Sequence, residues 1–386
     1  MPFFRQIIWT APVFFLLFSC RPQPAAVVPV SSDVVTEPAR DGDSPVTQTP
    51  VAALPTAVPI TATITAVPTP LPSDTPLPSP GVTPSPAATA ASTLTPTPDP
   101  YDVYTLEALA ARVYGGGELE IEERLETNKR FARYLITYPS DDLTIYGFMN
   151  VPHEGSQFPV AIVLHGYINP AGYDTLAYTS RYADALADAG YFVIHPNLRG
   201  FPPSDEGEDA FRTGLAADVL NLIAIIREQS SDPEGPLRRA DPEAIHLWGH
   251  SMGGGVALRV ATVLNEPYLR AAVLYGAMSG DEVQNYEQIL VWSDGRSGSF
   301  ELAAPPEAQQ AISPVNYLER ITAPLSIHHG EGDETVPPQW SADLCARLQA
   351  ADHPVECFTY NAAPHTFYGA WEELFNERVI AFFDRN

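Results

Sequence analysis

Six short apolar runs between residues 160 and 360 constrain this chain more than any other feature. They are Val160 to Leu164, Tyr191 to His195, Ile245 to Trp248, Ala271 to Tyr275, Leu325 to His328 and Glu356 to Tyr360, with helical periodicity between them. Runs this short and this apolar read as strands covered on both faces, because a half-exposed strand would alternate polar and apolar residues. Strands separated by helices return to a sheet in parallel, so the pattern predicts an α/β fold with a mostly parallel sheet between two helical layers. The clearest helix carries Phe211, Leu215, Val219, Leu222 and Ile226 on one face. Ahead of the parallel part, Phe131 to Tyr138 and Leu143 to Val151 flank Pro139-Ser140-Asp141-Asp142 and predict a hairpin. Residues 101–386 suit a single domain of this class. Its first part, Tyr101 to Lys129, reads as a linker with one packing helix carrying Leu106, Leu109 and Val113 on one side.

The ends of these strands hold the chemistry. Ala244 to Trp248 runs into Gly249-His250-Ser251-Met252-Gly253, and Val256, Val260 and Val263/Leu264 follow at helical spacing. This predicts a strand, a tight turn and a helix. Gly249 and Gly253 remove β-carbons that would collide where the chain doubles back, while Gly254 and Gly255 allow close helix-to-sheet approach. Ser251 would then stand exposed at a strand end. A serine hydroxyl is a poor nucleophile at neutral pH and needs an imidazole to take its proton and a carboxylate to orient that imidazole. Asp333 follows the strand at Leu325 to His328, and His365 follows the strand that ends at Tyr360. Parallel sheets gather their sites at this edge, which makes Ser251, Asp333 and His365 the candidate catalytic set. Glu331 and Glu334 are the competing carboxylates. An acyl-transfer site also needs oxyanion donors, and by position these are the backbone N–H groups of Met252 and of Tyr167, in His165-Gly166-Tyr167 after Val160 to Leu164. His165, His195, His246, His250, His328 and His329 are expected to be structural, and His153 and His353 to lie in surface loops. No His-Glu-x-x-His or paired-cysteine pattern occurs, so neither a metal nor another cofactor is expected.

From about Phe131 onward the sequence resembles the α/β-hydrolase catalytic domains of the prolyl oligopeptidase and dienelactone hydrolase groups. The resemblance rests on His165-Gly166, Asn197-Leu198-Arg199-Gly200, Gly249-His250-Ser251-Met252-Gly253-Gly254, His329-Gly330-x-x-Asp333-x-x-Val336-Pro337 and His365. It implies an eight-stranded, mostly parallel sheet and a Ser251–Asp333–His365 triad. Prolyl oligopeptidases proper carry a large β-propeller ahead of this domain, for which this chain has no room, so restriction to short peptides by a propeller is not implied. Gly280 to Ile312, with Tyr286, Trp292 and Phe300, is longer than a simple crossover. It is either a cap over the site or an ordinary surface excursion.

The first hundred residues differ in kind. Residues 1–20 hold one basic residue, Arg5, an apolar run from Ile7 to Phe18, too short for an ordinary spanning helix, and a closing Leu17-Phe18-Ser19-Cys20. This resembles a bacterial lipoprotein signal, which implies a lipid on Cys20 and an extracytoplasmic, membrane-anchored protein; an ordinary secretory signal or an uncleaved anchor are the alternatives. Residues 21–100 are dominated by Pro, Thr, Ala, Val and Ser, and cannot bury enough apolar surface to offset chain entropy. A disordered tether is expected, reaching at most roughly 250 Å at about 3.1 Å per residue.

A net charge of −26 with a single lysine, Lys129, argues against nucleic acid as a partner. Cys345 and Cys357 either pair or remain free thiols. The expected function is hydrolysis of a small ester or peptide substrate by an acyl-enzyme route. A catalytically silent surface binding module is the alternative.

Overall fold

A computed structural model describes residues 99–386. The signal-like residues 1–20 with Cys20, and the Pro/Thr-rich stretch up to residue 98, lie outside the described residues. In chain order the elements are α1 (Leu106–Ala110), β1 (Glu120–Thr127), β2 (Phe131–Ser140), β3 (Leu143–Pro152), β4 (Phe158–Leu164), α2 (Ser180–Asp188), β5 (Phe192–Pro196), α3 (Thr213–Gln229), β6 (Ala240–His250) and α4 (Met252–Leu264). There follow β7 (Leu269–Tyr275), α5 (Glu282–Trp292), α6 (Ser299–Leu302), α7 (Pro306–Ile312), β8 (Leu325–Gly330), α8 (Pro338–Ala350), β9 (Val355–Tyr360) and α9 (Ala370–Asp384).

Among the described residues one sheet collects every strand, in the order β1-β2-β3-β5-β4-β6-β7-β8-β9. From β5 to β9 the pairs are parallel, and β1, β2 and β3 join antiparallel, with β3 also antiparallel to β5. The two-residue period of each strand splits its side chains between two cores. Val160, Ile162, Leu164, Ile245, Leu247 and Leu274 point into one core, against α1, α3, α4 and α8. Ala161, Val163, Trp248, Val273 and Tyr275 point into the other, against α2 and α9. This is the doubly covered, mostly parallel sheet that the apolar runs predict.

Three details differ from the sequence expectation. The sheet has nine strands rather than eight, because β1 (Glu-Ile-Glu-Glu-Arg-Leu-Glu-Thr) pairs with β2 inside the stretch read as a linker. Its side chains are nearly all exposed, so burial imposes no apolar pattern on it. A charged outer strand also blocks edge-to-edge pairing with other chains. The linker helix α1 stops at Ala110; Leu106 and Leu109 are buried, while Val113 lies beyond the helix and exposed. Finally, α3 begins at Thr213, so Phe211 sits outside it in a left-handed turn with φ 54°.

Cys345 on α8 and Cys357 on β9 form a disulfide. It staples the outermost helix–strand unit that carries the loop of His365. Reduction, or the double Cys345→Ser/Cys357→Ser variant, is expected to lower unfolding free energy by about 2–3 kcal/mol through restored freedom of the unfolded chain. Urea denaturation with and without reductant measures this; an unchanged midpoint would mean that the crosslink contributes no stability.

Candidate active site

Ser251 lies between the buried end of β6 and the first turn of α4, with φ 55° and ψ −116°. Few non-glycine residues tolerate that conformation, and the surrounding contacts enforce it. Ser251 N–H donates to Tyr275 O (2.9 Å), and its carbonyl accepts from Gly254, Gly255 and Met278. The turn is possible only because two positions lack side chains. A β-carbon on Gly249 would lie 2.2 Å from Gly253 O, and one on Gly253 would lie 2.3 Å from Leu164 O. The second contact reflects how closely the start of α4 lies against the end of β4, where the loop of Tyr167 begins.

Asp333 and His365 meet at the same edge. His365 Nδ1–H donates to Asp333 Oδ2 at 2.6 Å. The carboxylate can only accept, so it fixes the proton on Nδ1 and leaves Nε2 with a free lone pair. The other oxygen, Oδ1, accepts from the N–H groups of Thr335 (2.8 Å) and Val336 (2.9 Å). His329 Nε2 lies 3.0 Å from Oδ2. Burial alone would raise the Asp333 pKa, but the hydrogen bonds from His329, His365 and Val336 outweigh it and hold the carboxyl well below its usual range. Glu331 and Glu334 are exposed.

The structure brings His365 and Ser251 to one cavity of about 720 Å³, whose lining includes Gly166, Tyr167, Met252 and both residues. No hydrogen bond to Ser251 Oγ occurs among the described residues; such bonds are often loose without substrate and tighten around it. The backbone N–H groups of Met252 and Tyr167 likewise have no acceptor among the described residues, so both are available to an incoming oxygen.

One hydrogen-bonded chain locks the loops together. His250 Nε2–H donates to the His365 carbonyl (2.9 Å), and Nδ1 accepts from the Tyr178 hydroxyl. Tyr178 in turn accepts from Gly166 N–H at 3.1 Å. Burial, reinforced by the neighbouring His365, pushes the His250 pKa well below the usual imidazole value, so this ring stays neutral. Gly166 has to be glycine here: a β-carbon would lie 2.6 Å from Tyr178 Oη and 3.1 Å from the Ser251 β-carbon. His165 is buried, with Nδ1 2.8 Å from its neighbour's carbonyl at Gly166 and Nε2 2.7 Å from Asn197 O, as a residue that shapes the turn should be.

The 280–312 insertion contributes to the cavity wall through Tyr286, Ile289, Trp292, Ser293, Arg296 and Ser297. Sequence reading did not single out Tyr178, Asp209 or Arg212, which also line it, nor the contact of His329 with Asp333. The tyrosine and the arginine lack a motif. His329 could have been suspected from its place four residues before Asp333.

A sequence profile of the prolyl oligopeptidase family matches residues 177–386. The uncharacterized peptidase YtmA of Bacillus subtilis is 26% identical over 236 residues, which cover 61% of this chain and 86% of that protein. The lysophosphatidylserine lipase ABHD12 of Danio rerio is 25% identical over 224 residues, or 54% of this chain and 53% of its own length, so the chain spans about half of that relative. Among solved structures, acetyl xylan esterase 1 from Thermoanaerobacterium sp. superposes with a TM-score of 0.52 at 17% identity, covering 74% of this chain and 94% of the esterase. Acylaminoacyl peptidase from Pyrococcus horikoshii gives 0.52 at 22% identity over 67% of this chain and 42% of the peptidase. At these identities the structures share the fold alone.

Proposed function

The chain belongs to the prolyl oligopeptidase family and is a serine hydrolase of the esterase and peptidase type, and from that premise we propose that it cleaves carboxylic esters or short peptide amides through an acyl-enzyme on Ser251. His365 Nε2 takes the Ser251 proton as Oγ attacks the acyl carbonyl. Asp333 holds His365 in the tautomer that makes this possible and stabilises the imidazolium that forms. The oxygen of the tetrahedral intermediate sits between the N–H groups of Met252 and Tyr167, a contribution of roughly 3 kcal/mol per donor. His365 then protonates the leaving group, and a water activated by the same imidazole releases the acid.

The observation that carries this reading is the 2.6 Å hydrogen bond from His365 to Asp333 beside a cavity that also holds Ser251 and two unpaired backbone donors. A silent binding module has no use for that combination. Labelling with a fluorophosphonate, followed by assay on p-nitrophenyl esters and aminoacyl-p-nitroanilides, tests it. Covalent labelling at Ser251 with turnover of at least one substrate class is the expected result. A wild-type protein that takes no label is not a serine hydrolase.

We also propose that the domain works outside the cytoplasm, tethered through Cys20 and the Pro/Thr-rich stretch. The Cys345–Cys357 disulfide supports this, since such bonds persist in oxidising compartments. Mass spectrometry of the mature N-terminus is expected to find a lipid-modified Cys20; an unmodified residue elsewhere would rule the anchor out.

A further inference from the structure

Part of the cavity wall is built around a buried guanidinium that shares its carboxylate with a second one. Arg212 is 6% exposed and lines the cavity. Its Nη2 is hydrogen-bonded to Glu282 Oε2, while Nη1 is buried and has no partner. Glu282 is itself 3% exposed and shared: its Oε1 accepts from Arg259 Nη2 at 2.6 Å. Arg259 spends Nη1 on the Ile312 carbonyl at 2.9 Å. Two buried guanidinium groups thus share one carboxylate. Such sharing is costly unless something further neutralises the charge.

Asp209 is the one acid among the residues that line the cavity. Its Oδ1 accepts from Leu215 N–H at 3.0 Å. Burial pushes its pKa up to about 7, against the pull of that bond and of Arg212. Near neutrality it is therefore an incomplete counter-ion, and its protonated form is a hydrogen-bond donor.

The backbone points the same way by an independent observation. Phe211 (φ 54°) and Arg212 (φ 57°) are consecutive non-glycine residues in left-handed geometry. That costs free energy and persists only where the surroundings impose it. Phe211 is buried among Tyr101, Tyr104, Tyr286 and Phe300, which holds the turn. The Arg212 guanidinium is 5.1 Å from the Tyr286 ring, at the edge of the insertion. The turn delivers a cation into the substrate cavity instead of to solvent.

We infer that Arg212 is a specificity-determining residue whose guanidinium, where it borders the cavity, takes a carboxylate carried by the substrate, so that the preferred substrates are esters or amides bearing one negative charge beyond the reacting carbonyl. A buried guanidinium that shares its one carboxylate with a second guanidinium suits a monoanionic group. Arg259 and Glu282 are positioning residues that keep Arg212 in the cavity wall. This inference rests on the hydrolase reading above. It also runs against the charge of the whole protein, since a net −26 repels anionic substrates; without a dedicated site, the carboxylated member of any substrate pair would be the poorer one.

The test compares kcat/KM within two matched pairs, after fluorophosphonate titration of active sites. One pair is p-nitrophenyl hemiglutarate against p-nitrophenyl valerate, with the charge on the acyl side. The other is 4-acetoxybenzoate against its methyl ester, with the charge on the leaving group. In the wild type the carboxylated member of one pair is expected to be favoured by about 10- to 100-fold, the range of a charge-assisted hydrogen bond. In Arg212→Gln that ratio is expected to collapse to one or below. If Arg212→Gln takes no label because it misfolds, Arg212→Lys, which keeps a cation against Glu282, is read in its place, with the ratio falling at least about threefold through the lost fork geometry. Wild-type protein that labels at Ser251 but disfavours the carboxylate in both pairs overturns the Arg212 subsite and leaves the hydrolase reading standing, as does a preference that survives in the variant. Wild-type protein that takes no label defeats the hydrolase reading and this inference with it.

Discussion

Replacing Ser251 with alanine is expected to lower kcat on a p-nitrophenyl ester by about 10⁵- to 10⁶-fold, because the nucleophile and its base act as one unit and loss of either removes the covalent route. What survives is the background from the oxyanion donors and binding, about 10³- to 10⁴-fold over water. The variant should fold as the wild type does. Ser251 Oγ makes no hydrogen bond among the described residues, and the strained backbone at φ 55° is held by main-chain bonds that alanine preserves. Steady-state kinetics and a thermal melt taken together check this. A well-folded Ser251→Ala protein that keeps more than about one hundredth of the wild-type kcat would mean that another group attacks the substrate.

The second large effect belongs to Asp333. Asp333→Asn is expected to reduce kcat by about 10⁴-fold with little change in the shape of the site, because it reverses the direction of a single hydrogen bond. The N–H groups of Thr335 and Val336 will hold the amide oxygen where Oδ1 now lies. The amide nitrogen then faces His365 Nδ1 and donates to it. That moves the ring proton to Nε2 and takes away the lone pair Ser251 needs. Neither a charge swap at Glu331 nor one at Glu334 should have this effect, since both are exposed. If Glu331→Gln proves as damaging as Asp333→Asn, the orienting carboxylate has been misassigned.

The same carboxyl links the site to stability. Its pKa is depressed in the folded protein, so its contribution is fully present above the unfolded aspartate value of about 3.9 and is lost as pH falls through the folded one. Asp333→Asn lacks that contribution at every pH. The gap in urea midpoint between wild type and variant should therefore be widest near neutrality and narrow as the solution is acidified.

Much of this was written into the sequence, for definite physical reasons. Gly249 and Gly253 can be read directly, because a tight strand-to-helix turn excludes β-carbons and no other side chain solves that problem. Strands β4 to β8 announce themselves because burial on both faces demands near-continuous apolar residues. Ser251 and Asp333 are legible as candidates because each closely follows such a strand, and His365 because it follows β9. By contrast β1 was missed: an exposed edge satisfies its backbone on one side only and leaves its side chains free to be Glu-rich. Nor does the 280–312 segment disclose by itself whether it caps a site or wanders over the surface, since Tyr286 and Trp292 suit either role.

What the chain determined by itself is therefore the layered parallel sheet and the order in which reactive side chains leave its edge, because those follow from local periodicity and local steric need. Only the tertiary structure decided which acid reaches His365, and that Tyr178 and His250 tie three loops into one unit. It alone set Arg212 against a glutamate 70 residues away, already shared with Arg259. Electrostatic balance depends on distance in space and on exclusion of water, and neither can be counted along a sequence.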